Sequence, residues 1–136
     1  MKTHWYLMVL LLFVGLSAQA QTDQDKKEVM QLCLDLPALQ PYFHTEKPER
    51  LPIVIESNGK VPQASLSKFG KPVVYLTPDE IEAKGTVAVV EFMRFEIAPE
   101  SATIMYRYNA EGLMITVLLK KTKGVWSVTD SKLVER

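Results

Sequence analysis

Cysteine and histidine are nearly absent from this chain of 136 residues, which contains one cysteine and two histidines. Because Cys33 stands alone, no disulfide can form within the chain, and its stability has to come from packing. His44 is the only histidine beyond the first 20 residues, and no His-x-x-His or Cys-x-x-Cys spacing occurs. A zinc-type site would need carboxylates for nearly all of its ligands, so we expect neither a metal nor a cofactor.

The chain also lacks an excess of charge of either sign, since 16 basic and 16 acidic residues give a formal net charge of zero. Nucleic-acid-binding domains that contact phosphates carry a dense basic surface, so the balance argues against this function class. The glycine patterns of phosphate-binding and dinucleotide-binding loops do not occur, and neither does Gly-x-Ser-x-Gly. Lys120, Lys121 and Lys123 are too few for a membrane anchor and indicate a solvated turn.

Acidic residues are missing from the first 20 positions, which have the pattern of a secretory signal. Residues 5–16 form an apolar run, and Ser17-Ala18-Gln19-Ala20 is the small-x-small pattern at which such signals are cleaved. We expect cleavage after Ala20, export to the periplasm or the medium without membrane attachment, and a single domain over residues 21–136. The alternative, an uncleaved anchor helix, needs about 20 apolar residues, which this run does not reach.

Apolar and polar residues alternate over much of the segment from position 102 to 134, which predicts three antiparallel strands in a meander. Every second residue is apolar or aromatic over residues 102–108 and again over residues 113–119. A period of two buries one face of a strand and leaves the other face wetter. Trp126 in the third strand is expected to anchor the core, because an indole buries a large apolar area. Tight turns are predicted at residues 109–112 and 120–124.

Apolar residues at helical spacing precede the meander. Val29, Cys33 and Leu36 fall at i, i+4 and i+7, which predicts a helix over residues 21–36 that ends at Pro37. Cys33 lies on the apolar stripe, so we expect a buried and unreactive core residue. The alternative, a nucleophilic thiol, would need a neighbouring base and a lowered pKa.

Between this helix and the meander, the sequence predicts short strands and one short helix. Thr77-Pro78-Asp79-Glu80 has the features of a helix start, with threonine as the cap, proline in the first turn and glutamate completing a capping box. Gly85 supplies the stop signal of the same helix. Strands are expected over residues 52–56, 72–76 and 86–98, the last with a bulge near Glu91 because its apolar residues change parity.

The predicted order is helix, short strands, short helix and four consecutive strands that end in Gly124-Val125-Trp126-Ser127-Val128. We therefore expect an α+β domain, with the N-terminal helix packed on a curved, mainly antiparallel sheet that ends in the three-stranded meander. This order resembles the cone-shaped domains called nuclear transport factor 2-like, more loosely the cystatin-like folds, and small exported bacterial proteins of that shape whose function is uncharacterised. The resemblance implies a cavity between helix and sheet, but the family hosts enzymes, binding modules and dimerisation modules.

Four residues are candidates for binding a ligand in such a cavity. Tyr106 and Tyr108 share one face of a strand, Arg94 lies on the preceding strand, and their polar ends can orient a small molecule. His44, which lies close to Glu46 in the chain, is the one candidate for a general base. The competing interpretation is structural, with amphipathic core tyrosines and a loop histidine.

Two functions follow from these observations. The first is an exported, non-catalytic binding or protein-interaction module for an unidentified small molecule or protein, with no catalytic residue. The second is a small hydrolase or isomerase that uses His44 or a tyrosine–carboxylate pair in the cavity. A spatial criterion separates them, because His44 as a base needs a carboxylate or a tyrosine hydroxyl at a cavity within about 10 Å.

The outer face of the meander carries a candidate interface. If the strand tyrosines face the helix, then Met105, Met114 and Leu118 form an apolar patch on the opposite side. Contiguous exposed apolar patches mark contact surfaces, and methionine repacks readily against a partner. We expect a homodimer through this patch; alternatively, the N-terminal segment or the loop over residues 61–70 covers it.

Overall fold

The structure, a computed structural model, describes residues 22–136. The signal sequence predicted for residues 1–20 lies outside this range. Helices and a mixed, mostly antiparallel sheet of six strands make up the described chain, which confirms the α+β class. Within residues 22–136, no helix is long and apolar enough to cross a membrane.

The helices and strands are short in the first half of the described chain and long in the second half. Residues 22–34 form helix α1, and Pro78–Lys84 forms helix α2. Short 3-10 helices cover Pro37–Phe43, Pro48–Arg50 and Asn109–Glu111. The strands are β1 Val54–Glu56, β2 Ser67–Lys68, β3 Lys71–Pro72, β4 Val74–Leu76, β5 Val90–Ile97, β6 Ser101–Tyr108, β7 Leu113–Thr122 and β8 Val125–Glu135.

The main sheet has the strand order β4-β1-β5-β6-β7-β8. Strand β1 runs parallel to both of its neighbours, and β5 to β8 follow one another as antiparallel pairs. The antiparallel part thus has four strands in chain order, one more than the three-stranded meander predicted from the sequence. Strand β5 joins it because the tight connection after Ile97 folds β6 directly back onto it.

Strand β5 begins at Val90, so the prediction of a strand from residue 86 was wrong at its start. Before that point, the N–H of Val89 donates to Asn109 Oδ1 at 2.7 Å, and the N–H of Asn109 donates to the Val89 carbonyl at 3.3 Å. The backbone before β5 is therefore bound to the β6–β7 turn and not to a neighbouring strand. Val87 accordingly remains 59% exposed despite its apolar side chain.

The bulge in β5 lies between Phe92 and Arg94, slightly later than the prediction near Glu91. The carbonyls of Phe92 and Met93 at this point accept hydrogen bonds from Asn58 Nδ2 at 2.9 Å and Lys60 Nζ at 3.0 Å. The turn after β1 therefore binds the strand where its regular pairing is interrupted.

The β7–β8 turn is tighter than predicted, because Lys120 and Lys121 belong to β7. Only Lys123 and Gly124 form the turn, with φ angles of +51° and +78°. Two consecutive residues with positive φ match the twist of the strands that they connect, so the hairpin closes without a longer loop.

Helix α2 begins and ends as the sequence predicts. The N–H of Glu80 donates to the Thr77 hydroxyl, the N–H of Thr77 donates to the Glu80 carboxylate, and Gly85 ends the helix at φ +62°. Ile81 packs on a small apolar cluster made of Val54, Val74, Leu76 and Val89. Helix α2 therefore covers the outer face of the sheet at its β1–β4 end.

The main core lies on the inner face of the sheet, against α1 and the 3-10 helix that follows it. The predicted inward residues are all buried: Ala102, Ile104, Tyr106, Tyr108, Leu113, Ile115, Val117 and Leu119. Trp126 and Cys33 are buried as well, as predicted from their spacing and size. Alternation in β6 and β7 is therefore a reliable guide to the two faces of this sheet.

Candidate functional site

Charged and aromatic side chains form a cluster where residues 42–50 meet the β6–β7 turn. Arg50 lies at its centre and donates from Nη2 to Glu111 Oε1 at 3.0 Å. From Nη1 it donates to the Tyr108 hydroxyl at 3.3 Å and, weakly, to the Tyr42 carbonyl at 3.5 Å. Arg50 is only 9% exposed, so its buried positive charge has to be stabilised by these partners and not by water.

His44 lies at the rim of this cluster, at the left-handed end of a 3-10 helix. Its Nδ1 is 3.1 Å from Glu46 Oε1, and its Nε2 is 3.2 Å from Glu111 Oε1. A backbone hydrogen bond and the hydrogen bond with His44 hold the pKa of the Glu46 carboxyl below its ordinary value. Both ring nitrogens of His44 are therefore within hydrogen-bonding distance of a carboxylate oxygen.

The contacts of His44 indicate whether it can act as a general base. Carboxylates do lie within 10 Å of His44, but both ring nitrogens are already directed at them. A general base needs a nitrogen lone pair that points at the proton of the substrate. Because both nitrogens of His44 face carboxylates of the protein itself, the arrangement favours a structural role.

Aromatic rings connect this cluster to the surface. The Phe43 ring packs edge-to-face on Tyr108, with centroids 5.3 Å apart, and on Phe69 at 5.5 Å. The Arg50 guanidinium lies 5.8 Å from the centroid of the Tyr108 ring. Burial raises the pKa of the Tyr108 hydroxyl, although Arg50 opposes this change. The phenol therefore stays protonated and serves as a buried polar partner for Arg50.

Tyr106 and Arg94, the other predicted ligand-binding residues, lie elsewhere. The Tyr106 hydroxyl donates to the Cys33 carbonyl in α1 at 2.7 Å, and burial raises the pKa of Tyr106 well above its ordinary range. Arg94 lies on the outer face, half exposed, and donates to Glu96 at 2.7 Å. The structure therefore brings together His44 and Tyr108 but not Tyr106 and Arg94.

Arg50 and Glu111 are the site residues that the sequence did not reveal. They are separated by 61 positions in the chain, and no periodic pattern relates two residues at that distance. The one signal was a charged pair next to proline, Pro48-Glu49-Arg50, in an otherwise polar segment. Such a segment is ordinarily solvated, and only the folded chain shows that Arg50 is enclosed.

Two surface cavities lie apart from this cluster. A cavity of about 240 Å³ beside the β6–β7 turn is lined by Arg107, Asn109, Gly112, Leu113, Met114 and Arg136. A wider groove of about 500 Å³ lies between the start of α1 and residues 62–65. None of the four predicted ligand-binding residues lines either cavity. Among residues 22–136, no three His, Cys, Asp or Glu side chains are placed to hold a metal ion.

A pair of glutamates lies at the edge of the outer face. Glu91 on β5 forms an ion pair with Arg107 on β6. Burial raises the pKa of the neighbouring Glu56 carboxyl, the negative charge of Glu91 raises it further, and Arg107 partly opposes the change. Glu56 therefore holds its proton to a higher pH than an ordinary glutamate does.

The predicted interface residues all lie on the outer face of β5–β8, the side opposite the core. Cross-strand register places Met114 opposite Val134, and Met105 diagonally between Met114 and Leu118. We call these four residues the outer strip. Leu118 and Val134 are each 39% exposed, and the two methionines are partly exposed. Helix α2 contacts only the far end of the sheet, so it leaves the outer strip uncovered.

Comparison with known proteins adds no further assignment to these residues. No protein-family model matches the chain, and no curated protein or solved structure matches it. Two features of the described residues therefore bear on the function, the His44–Arg50 cluster and the outer strip.

Proposed function

We propose that this chain is an exported, non-catalytic protein-interaction module that binds its partner through the outer face of β5–β8. The uncovered outer strip, Leu118, Met105, Met114 and Val134, is the observation that carries the proposal. A connected apolar strip across three strands supports binding at this face, because each of its side chains gains from removal from water. Export rests on the signal pattern of residues 1–20.

The non-catalytic part of the proposal is supported by the way in which the reactive side chains are used. His44 faces two carboxylates, Tyr106 binds a main-chain carbonyl, and the Cys33 thiol is fully buried. Burial also raises the pKa of the Cys33 thiol, which disfavours the nucleophilic thiolate. Each group that the enzyme hypothesis requires is thus engaged in holding the fold.

We also propose that the domain has the cone shape of the nuclear transport factor 2-like domains that it resembles. In a cone-shaped domain with α1 on the concave face of a curved sheet, the convex outer face is the one that remains free. The inner face of the present sheet is filled by core side chains from α1 and the 3-10 helix after it. Binding at the outer face therefore requires no opening of the domain.

Site-specific photo-crosslinking tests the proposal. A photoreactive amino acid replaces Thr116, which lies in β7 between Met114 and Leu118, and in a control it replaces Glu82, which is exposed on α2. Cells that export the protein are irradiated, and the products are identified by mass spectrometry. We expect a defined product from position 116, none from position 82, and loss of the product when Met105→Glu is added.

The same experiment separates the alternatives. A product from position 82 with none from position 116 would place the contact surface elsewhere and overturn the proposal. The substitution His44→Gln serves as a second control, because it removes the histidine without touching the outer face. An unchanged product in that variant is expected of an interaction module that does not use His44.

A further inference from the structure

Charges and apolar side chains on the outer face are arranged in rows that cross the four antiparallel strands. The register places four residues side by side in an acidic row, Glu96, Thr103, Leu118 and Asp130. The next row is basic and consists of Arg94, Met105, Thr116 and Lys132. The two rows are one pleat apart, about 7 Å along the strands. Each row has charges at both ends and one apolar side chain beside one threonine in the middle.

This arrangement is complementary to itself under one particular rotation. Consider two copies that stack face to face about a two-fold axis running across the strands, midway between the acidic and basic rows. The rotation places each strand opposite the same strand of the other copy, and it places the acidic row of one copy opposite the basic row of the other. Glu96 therefore faces Arg94 of the other copy, and Asp130 faces Lys132. In the middle, Leu118 faces Thr116 and Met105 faces Thr103. Each charge in the two rows thus faces an opposite charge of the other copy, and Arg94 and Glu96 are also paired with each other within each copy.

The other two-fold arrangement aligned with the strands fails on the same charges. An axis parallel to the strands, between β6 and β7, places each row opposite the same row of the other copy. It also places β5 opposite β8 and β6 opposite β7. Glu96 would then face Asp130, and Arg94 would face Lys132, which places like charges opposite each other at all four corners. Like-charge contacts at an interface are unfavourable, so the charges select one of the two orientations.

We infer that the partner of the outer face is a second copy of this chain, bound face to face with the two-fold axis across the strands. The inference rests on the proposed function, since it uses the same surface, and it adds the identity and orientation of the partner. The contact has apolar side chains, Leu118 and Met105 from each copy, at its centre and charged side chains at its rim. This division into an apolar centre and a polar rim is typical of protein interfaces.

The size of the face indicates how tightly the two copies bind. Four strands about 4.8 Å apart and about nine residues long present a surface of roughly 20 by 30 Å. The area of this surface is below the roughly 800 Å² that each partner buries in a stable complex. We therefore expect a dimer with a dissociation constant in the micromolar range that weakens as salt screens the rim charges.

Charge reversal provides a direct test. Asp130→Lys and Lys132→Glu each place two pairs of like charges in the dimer, so each variant alone is expected to dimerise at least about tenfold more weakly. When the two variants are mixed, both facing pairs are again opposite in charge, and the mixed dimer should recover the wild-type affinity. Sedimentation equilibrium at low salt measures all three samples, with thermal melts to show that each variant is folded.

Cysteine pairs report the orientation independently. Leu118→Cys in one copy and Thr116→Cys in the other face each other about the axis across the strands, and stacked sheets lie about 10 Å apart. A bismaleimide of that length should join this pair in a mixture. It should not join Leu118→Cys to Thr103→Cys, the pair that the rejected axis brings together. The buried Cys33 does not interfere.

Each outcome decides a separate point. A wild-type protein that stays monomeric up to 100 times the expected micromolar constant would overturn the second copy as partner; photo-crosslinking at position 116 to a different protein would still support the proposed function. A dimer that is insensitive to both reversals, or that joins positions 118 and 103, would overturn the orientation. Weakening by each reversal with recovery in the mixture, and joining of 118 to 116, would establish it.

Discussion

Trp126 donates its indole N–H to Asp25 at 3.0 Å, across 101 positions of the chain. The same carboxylate oxygen accepts a hydrogen bond from Lys121 Nζ at 2.8 Å. Asp25 lies in α1, Lys121 in β7 and Trp126 in β8, so one carboxylate joins the helix to the last two strands. A buried indole finds its polar partner here, which lets the large apolar ring enter the core.

The stability of the protein should depend on acid through Asp25. Burial raises the pKa of its carboxyl, but the hydrogen bonds from Lys121 and Trp126 outweigh this, so the pKa lies below the ordinary value of 3.8. The ionised form therefore stabilises the folded state above about pH 4, and this contribution is lost as pH falls through the folded-state pKa. Asp25→Asn should cost about 1 kcal/mol at pH 7 and less at pH 2.5, measured by urea unfolding. An equal cost at both values would contradict the assignment.

Glu56 should show the opposite dependence on pH. Burial and the charge of Glu91 raise the pKa of Glu56 above the ordinary value of 4.5. As pH rises past 4.5, the unfolded chain releases this proton more readily than the folded chain does, so the group lowers stability at neutral pH. Glu56→Gln should therefore raise the melting temperature at pH 7 and leave it unchanged at pH 3.5. Glu82→Gln on the exposed surface of α2 is the control and should change neither value.

Arg50 should contribute to stability and not to binding. Arg50→Met removes the guanidinium from Glu111 and from the Tyr108 hydroxyl, and breaking a buried ion pair on one side costs about 3 kcal/mol. Replacing both partners, as Arg50→Met with Glu111→Leu, should recover part of that loss, because no unpaired charge remains. Denaturant unfolding measures the four proteins of this cycle. Additive costs would show that the two residues do not interact.

Two glycines offer a matched test of steric contact at a turn. Gly112 and Gly85 have nearly the same backbone, with φ angles of +61° and +62°. A Cβ on Gly112 would lie 2.7 Å from the carbonyl oxygen of Arg136, whereas a Cβ on Gly85 would have no neighbour within 4 Å. Gly85→Ala should cost about 1 kcal/mol for the left-handed conformation alone. Gly112→Ala should cost clearly more, and equal melting temperatures for the two variants would contradict this.

Local patterns explain which parts of the fold could be predicted. The inward residues of β6 and β7 and the capping box at Thr77 depend on neighbours a few positions away, and the structure confirms them. The start of β5 was mispredicted because Asn109, twenty positions later, binds the backbone at Val89. The turn after β7 is shorter than the lysine-rich segment 120–124, because Lys120 and Lys121 belong to the strand and only Lys123 and Gly124 have positive φ angles.

The sequence alone determined which side of each long strand faces the core, because alternation is a property of consecutive residues. It also placed Met105, Met114 and Leu118 on the side away from the core. Only the tertiary structure decided that Val134 completes the strip, that α2 leaves it uncovered, and that acidic and basic rows lie next to each other. The physical reason is register: which residues of β5 to β8 lie side by side depends on hydrogen bonds between strands, and a one-residue slip would exchange the faces.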